Sequence, residues 1–322
     1  MRDRRRPLEA VAIYPSDILG YIDRVTMWKR QPLSAPEIAE LDRLCRGSLD
    51  VRRNGEWVPT KAGRLILVSH PDRTLIQRFQ LCQPTPQALH WAATWPDHHV
   101  TYVEVSLDWI FATGLEKDEA YEIACEYLVK LHHRDHGIRF YGKDEKSRYT
   151  GPRGAPNVLA VYGDKPCRIT GEVCCLHLDW RVSGAAALRR AGLDTIGKLV
   201  DLDFRAFWSS RLLMSKMRFE YLGRLVTNAC TGSNRRGPWM QPWPHGFVFD
   251  VHTRTGQIIR RAYGSTQSVI DHCRKTVNVQ RCLVPLDVQH LLPPSPMINP
   301  DSLTLPASTP SNVTRIRKSM EA

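Results

Sequence analysis

Acidic and ionisable side chains occupy every second position of two segments of this chain. The first is residues 101–111 (TYVEVSLDWIF) and the second residues 171–184 (GEVCCLHLDWRVSG). A β-strand turns successive side chains to opposite faces. As strands, the first sets Val103, Val105, Leu107 and Trp109 against Glu104, Ser106 and Asp108. The second sets Leu176, Leu178, Trp180 and Val182 against His177, Asp179 and Arg181. Between them lie residues 157–165 (NVLAVYGDK), which carry Tyr162. If these strands are neighbours, one sheet face collects carboxylates, an imidazole, a guanidinium and a phenol. That set suits metal-assisted chemistry on a phosphodiester. Glu104, Asp108 and Asp179 are hard oxygen donors of the kind Mg2+ and Mn2+ take, and His177 is a further ligand or a phosphate contact. A divalent ion polarises a phosphate and offsets its charge, and the Arg181 guanidinium matches phosphate geometry. Tyr162 is the candidate nucleophile. A free phenol, with a pKa of about 10, attacks weakly at neutral pH. A metal or a cation such as Lys165 favours the phenolate.

Each piece taken alone has a plain structural reading. Alternating acids often mark a solvated strand face, and a tyrosine in an apolar strand is usually core. His177 alone reads as a structural histidine, and Arg181 alone as an ion-pair partner of Asp179. The clusters His98-His99 and His132-His133-His136 read as surface. Two acidic strands with a tyrosine strand between them are what favour the chemical reading.

The elements that must position these residues follow from pattern. Residues 64–69 and 74–81 read as a strand pair, and 84–94 as a short helix. Thr113 and Glu116 have capping-box spacing, and Ala120, Ile123, Ala124, Tyr127, Leu128 and Leu131 recur at helical spacing, so a helix runs from 113 to Gly137. Strands follow at 138–141 and 147–150, then the Tyr162 and His177 strands. Residues 184–192 read as a helix stopped by Gly192. The pattern predicts an α+β fold: a mostly antiparallel sheet with helices on one face and an open polar face, plus a helical C-terminal extension over 195–245. The expected organisation is an N-terminal basic segment (1–60), a catalytic domain (61–245), an accessory segment (246–290) with a GFVFDV strand and a helix over 265–277, and a Pro- and Ser-rich flexible tail (291–322).

Composition narrows the partners. The chain has 322 residues, is 42% hydrophobic and carries a formal charge of +12, so it can bury a real core and favours nucleic acid, then anionic membrane, as partner. No apolar run is long enough to span a bilayer, and the basic N-terminus lacks a secretory apolar stretch. A soluble intracellular protein is expected. Nine cysteines with no CxxC pair read as reduced thiols rather than a zinc site. Arg148, Arg153, Arg211, Arg218, Arg235 and Arg236 are candidate phosphate contacts, the last two beside Trp239 and Trp243 as in single-strand binders.

Three pieces of residues 101–208 resemble the rolling-circle replication initiators, such as the gene II protein of filamentous phages and the related plasmid initiators. VEVSLDWIF with its helix resembles the family's first acidic strand and helix. NVLAVYGDK is similar to the strand bearing the nicking tyrosine. LHLDWRVSGAAALRRAGL resembles a strand ending in acid-x-Arg followed by a helix. The resemblance implies Tyr162 as nucleophile, Asp108 and Asp179 at acidic positions and Arg181 at the basic one. Lys165 stands one residue further from the tyrosine than the family pattern has it. His177-Leu178-Asp179 lacks the second histidine of the metal motif in related nickases. Tyr149, in SRYTGPRG, resembles a Tyr-x-Gly strand of plasmid initiators and is the second candidate nucleophile. The resemblance further implies a metal-dependent nickase and strand transferase of a phage, plasmid or integrative element. It would act in the bacterial cytoplasm on a single-stranded or hairpin origin, with a host helicase as partner. The rival readings are a non-enzymatic nucleic-acid-binding regulator and a metal nuclease that uses water.

Overall fold

The structure is a computed structural model that describes residues 8–29, 34–44, 50–53, 56–59, 64–70, 73–130, 138–141, 146–151, 154–232, 266, 269–270 and 278–294. The N-terminal half runs β1 (Asp17–Lys29), α1 (Ala35–Leu44), β2 (Asp50–Arg53), β3 (Glu56–Pro59), β4 (Arg64–His70), β5 (Arg73–Cys82), α2 (Pro86–Ala93), β6 (His98–Ile110) and α3 (Gly114–Tyr127). Then come β7 (Leu128–Val129), β8 (Ile138–Tyr141), β9 (Ser147–Thr150), β10 (Asn157–Tyr162), β11 (Cys175–Ser183), α4 (Ala185–Ala191), α5 (Ile196–Val200) and α6 (Phe204–Ser209). The described chain closes with β12 (Leu213–Met217), α7 (Phe219–Gly232) and β13 (Leu283–Pro285).

The fold is α+β. Ten strands form one sheet in the order β3-β2-β5-β1-β6-β11-β10-β9-β8, with β4 paired to β5, and all its pairings are antiparallel. The three strands read from the sequence as carriers of chemistry are indeed adjacent: β6 pairs with β11 and β11 with β10. Alternation sorts their side chains. Val103, Val105, Leu107, Trp109, Leu176, Leu178 and Val182 are buried in one apolar cluster, against Leu89 of α2, Ala120 and Ala124 of α3, Leu188 of α4, Ile196 of α5 and Phe207 of α6. All these helices lie on that face. Four of them, α2, α3, α5 and α6, are started by a side chain at the N-cap: Thr85, Thr113, Thr195 and Asp203. In α3 the Thr113 hydroxyl accepts from the Glu116 amide while the Glu116 carboxylate accepts from the Thr113 amide, as the spacing required.

Four expectations are corrected. First, the segment 1–60 does not stand apart, because β1 lies in the middle of the sheet between β5 and β6. Second, α3 ends at Tyr127 rather than near Gly137. Leu128 and Val129 turn extended and pair with Met214 and Leu213 of β12, which also interrupts the helical run expected over 195–245. Burying the apolar pair Leu128-Val129 in a three-stranded sheet of β7, β12 and β13 outweighs one more helical turn. Third, residues 291–294 are not tail. Leu291 and Leu292 are core, and the Trp109 indole donates to the Leu291 carbonyl at 2.9 Å. This C-terminal segment also grips the N-terminal one. The Val11 amide donates to Asp287 O at 3.1 Å, the Asp287 amide to Glu9 O at 2.9 Å, and His290 Nε2 lies 3.0 Å from Ile13 O. Fourth, the polar face is not open. Glu104, Ser106, Asp108, His177 and Asp179 are all buried, as are the apolar residues behind them. The GFVFDV segment, most of 265–277, and the rest of 291–322 lie outside the described residues.

Candidate active site

β11 is the axis of the site. Its His177 stands opposite Asp108 on β6 and Tyr162 on β10, Asp179 opposite Ser106 and Ala160, and Arg181 opposite Glu104 and Val158. Directly opposed residues on antiparallel strands share a face, so all of these point the same way. On the other side of β6, β1 sets Tyr21 opposite Ser106. Its register slips between Ile22 and Arg24, leaving Asp23 in a bulge. Bulges re-aim side chains, and here the result is a buried Asp23 carboxylate on the polar face.

Two linked polar groups fill this face. In one, His177 lies between carboxylates: Nδ1 is 2.5 Å from Asp108 Oδ1 and Nε2 is 2.7 Å from Asp179 Oδ1. The Tyr21 hydroxyl donates to Asp108 Oδ2 at 3.1 Å, and the Ser106 hydroxyl to Asp179 Oδ1 at 2.6 Å. In the other, Arg181 bridges acids and phenol. Its Nη2 donates to Asp179 Oδ2 at 3.1 Å and also to the Tyr162 hydroxyl, and its Nε lies 3.2 Å from Glu104 Oε1. The Tyr149 hydroxyl is 2.8 Å from that of Tyr162.

Residues 163–174, between β10 and β11, fold back over this face as a strap. Lys165 Nζ sits 3.4 Å above the Tyr162 ring centroid, and Arg168 Nε lies 3.5 Å from Asp23 Oδ1. Cys167 and Ile169 pack with Ile110, Cys175 and Leu19. Tyr162 is left 1% exposed.

Of the residues singled out in the sequence, the structure therefore unites Tyr162, Tyr149, Arg181, Asp179, His177, Asp108 and Glu104 on one face. Lys165 joins them over the phenol ring rather than at its oxygen. The metal set is revised. Asp23, His177 and Asp179 each bring a ligand atom within 4.8 Å of the others, and these three could hold a metal ion. Asp108 instead meets His177 Nδ1, the place of a carboxylate that orients an imidazole ligand. Glu104 meets Arg181, and Arg24 Nη1 at 3.7 Å, and accepts from the Tyr102 hydroxyl, so it anchors cations. One feature of the donor set fits an ion: Asp23 Oδ2 is buried without a hydrogen-bond partner.

Arg148 is corrected outright. It is fully buried on the apolar side, where its guanidinium donates to the carbonyls of Ala124, Cys125 and Leu128, so it caps α3 and meets no phosphate. Arg211 packs 3.7 Å from the Phe207 ring centroid on the helical side of the sheet, away from Tyr162, and Arg218 is exposed just before α7. Arg153, Arg235 and Arg236 lie outside the described residues. The sequence reading missed Asp23 and Tyr21. Their alternation with Ile22 was a strand signal, but the bulge breaks the period immediately after Asp23.

No protein-family model matches the chain, and no curated protein matches it. Among solved structures it is similar to the rolling circle replication initiator protein from Geobacillus stearothermophilus, at 10% identity and a TM-score of 0.31, over 73% of this chain and 97% of that one. A likeness that loose carries no weight beside the site's own geometry.

That geometry sets the charges. Burial works against a charged His177, yet Asp179 and Asp108 outweigh it and push its pKa up to about 10. Burial also raises Asp179, but His177 and Arg181 hold it far below the carboxylate range. Glu104 is pushed up to about 7 by burial and by Asp179, against the pull of Arg181 and Arg24. Tyr162 is driven far above an ordinary phenol by burial, with Arg181 opposing and Asp179 and Tyr149 adding to the rise. The resting site is thus an imidazolium between two acids beside a neutral phenol.

A pH dependence follows. An imidazolium whose pKa rises on folding stabilises the fold fully below its unfolded value, near 6.5, and that contribution disappears as pH climbs through about 10. In chelator, the stability measured by urea unfolding is expected to fall between pH 6.5 and 10 by on the order of 3 kcal/mol more in the wild type than in His177→Gln. Parallel profiles for the two proteins would refute the buried imidazolium.

Proposed function

We propose that this protein is a metal-dependent DNA-nicking and strand-joining enzyme that starts rolling-circle replication of a small genetic element. The observation that carries the reading is the contact of Arg181 with both the Tyr162 hydroxyl and Asp179, on the sheet face that also holds Asp23 and His177. A nucleophile, a phosphate-matching cation and a divalent-ion cluster then share one buried face.

Asp23, His177 and Asp179 would hold the ion. Two carboxylates and an imidazole suit Mg2+ or Mn2+. Once bound, the ion would polarise the scissile phosphate and offset its charge. The chain's own residues supply the rest. Asp108 keeps His177 oriented through Nδ1. Glu104 holds Arg181 in place, and Arg181 favours the phenolate of Tyr162 while reaching a non-bridging phosphate oxygen. The half-exposed Tyr149, whose hydroxyl touches that of Tyr162, gives the proton a route outward. As the Tyr162 oxygen bonds to phosphorus, the bond from phosphorus to the 3′ oxygen breaks. That oxygen takes up a proton and becomes a 3′ hydroxyl, and the 5′ phosphate stays on the tyrosine. Reversal rejoins the strand, because the phosphodiester energy is kept.

The DNA would arrive as a single strand or hairpin, drawn by a formal charge of +12, so binding would weaken steeply with salt. A host helicase and the bacterial cytoplasm belong to this reading. Among the described residues, no helix is long and apolar enough to cross a membrane. The test is incubation with end-labelled single-stranded DNA and Mg2+. A labelled adduct that survives denaturant supports the enzyme. Reversible binding alone leaves a regulator, and cutting without an adduct leaves a water-using nuclease.

A further inference from the structure

The strap over the active face carries a cation that the chemistry above does not use. Arg168 Nε lies 3.5 Å from Asp23 Oδ1, with Arg168 38% exposed and Asp23 1%. The same oxygen accepts from Gln83 Nε2, while Oδ2, also buried, has no hydrogen-bond partner. A buried carboxylate left without a cation is costly, and the strap places its guanidinium at that carboxylate. The strap is folded to do so. The Cys167 amide donates to Glu172 O and the Gly171 amide to Cys167 O, both at 2.8 Å, and Gly171 supplies the positive φ of 80° that closes the turn. Asp23 is also one corner of the Asp23–His177–Asp179 cluster. A divalent ion there would put two positive charges where the strap now puts one, and the two cations would repel each other.

We propose that Arg168 is the gate of this site. It is the resident counter-cation of Asp23 in the free protein, gives way when the divalent ion binds, and then takes up a phosphate oxygen of the incoming strand. The strap opens from the Asp23 side, uncovering Tyr162, and metal loads before DNA. This rests on the metal reading above.

The gate predicts opposite effects on two ligands. By isothermal titration with Mn2+ and no DNA, Arg168→Gln binds the ion about three- to tenfold more tightly than wild type, because a partly exposed competing ion pair is gone. With Mn2+ saturating, the same variant binds a short single-stranded oligonucleotide about three- to tenfold more weakly, as loss of one phosphate contact requires. Arg168→Lys keeps the charge and stays near wild type for Mn2+. A purely structural Arg168 would weaken both ligands or neither, and either result overturns the gate. The Asp23→Asn variant separates this from the underlying reading. If wild type binds Mn2+ and Asp23→Asn does not, the metal site stands, and an unchanged Mn2+ affinity in Arg168→Gln removes the gate alone. If wild type binds no Mn2+, both fall.

Discussion

Tyr162→Phe is expected to abolish the covalent protein–DNA adduct, with strand cutting reduced by at least about 10^4-fold, the scale on which loss of a nucleophile acts. The substitution is clean because the phenyl ring keeps its packing. Lys165 still lies over the ring face, and the Tyr149 and His177 rings, each 5.6 Å away by centroid, keep their contacts. What is lost is one oxygen and the hydrogen bonds it makes with Arg181 and Tyr149. The cost in stability is accordingly small, about 1 kcal/mol, and the fold persists. Tyr149→Phe removes the neighbouring hydroxyl and leaves the nucleophile in place. It slows adduct formation by about 10^2-fold, at the low end of proton-transfer effects. A denaturing gel of labelled oligonucleotide reads both. If Tyr149 is the attacking residue, the two results exchange. If water attacks, both variants cut and neither wild type nor variants form an adduct.

Arg148→Met is expected to destabilise the fold by about 3–5 kcal/mol while leaving DNA affinity per folded molecule unchanged. The guanidinium is fully buried and serves three carbonyls, at 3.1 Å (Ala124), 2.5 Å (Cys125) and 3.2 Å (Leu128). Ala124 and Cys125 lie in the last turn of α3 and Leu128 is its C-cap; the Leu128 amide also reaches Ala124 O, so the guanidinium matters most to the carbonyls of Cys125 and Leu128. A cation at a helix C-terminus also suits the macrodipole. Methionine replaces the volume and none of the donors, so each orphaned acceptor costs roughly 1–3 kcal/mol, with some relief from relaxation. Urea unfolding measures the loss, and filter binding at a temperature where the variant is folded measures the affinity. A variant that folds normally but binds DNA weakly would return Arg148 to the surface role expected from its charge.

The fate of Arg148 shows how the sequence could be over-read. The rule that set Glu104 and Asp108 apart from Val105 and Leu107 also sets Arg148 apart from Tyr149. Applied to SRYT, it puts Tyr149 with Tyr162 and Arg148 with the core, as the pairing of Arg148 with Val161 and of Tyr149 with Ala160 bears out. The charge of Arg148 points to the surface, its period points inward, and the period is the better guide. Elsewhere the period was a sound guide, because a strand with one face in a core cannot slip by one residue without burying the wrong set. That is why β6, β10 and β11 and their facing residues were legible. The capping box at Thr113 was legible for a local reason, since all its partners lie within three residues. Asp23 was hidden because the bulge breaks the alternation just after it: Arg24, opposite Glu104, falls on the same face, so the Tyr21–Asp23 alternation is too short to stand out. The strap was hidden because its contacts are tertiary: nothing in KPCRITGEV announces that Arg168 meets a residue on β1. The division of labour among the acids was hidden for the same reason. Asp108, Asp179 and Glu104 look alike in sequence, and only their neighbours set them apart: Asp108 against His177 Nδ1, Asp179 in the cluster with Asp23 and His177, and Glu104 against Arg181 and Arg24.

The grip between residues 9–13 and 286–292 has a consequence for biosynthesis. Contacts between residues so distant in sequence pay a large closure entropy before they return any stabilisation, and they form late. The indole of Trp109, on the strand that carries Asp108, waits for the carbonyl of Leu291. While the chain is still on the ribosome, β6 can pair with β1 and β11, but its buried donor has no acceptor until Leu291 has left the exit tunnel. Assembly of the scaffold behind the polar face is thereby deferred until Leu291 has emerged, and a nascent chain stalled before Leu286 carries Asp23, Asp108, Tyr162 and Asp179 yet lacks the segment that fastens the strands that hold them.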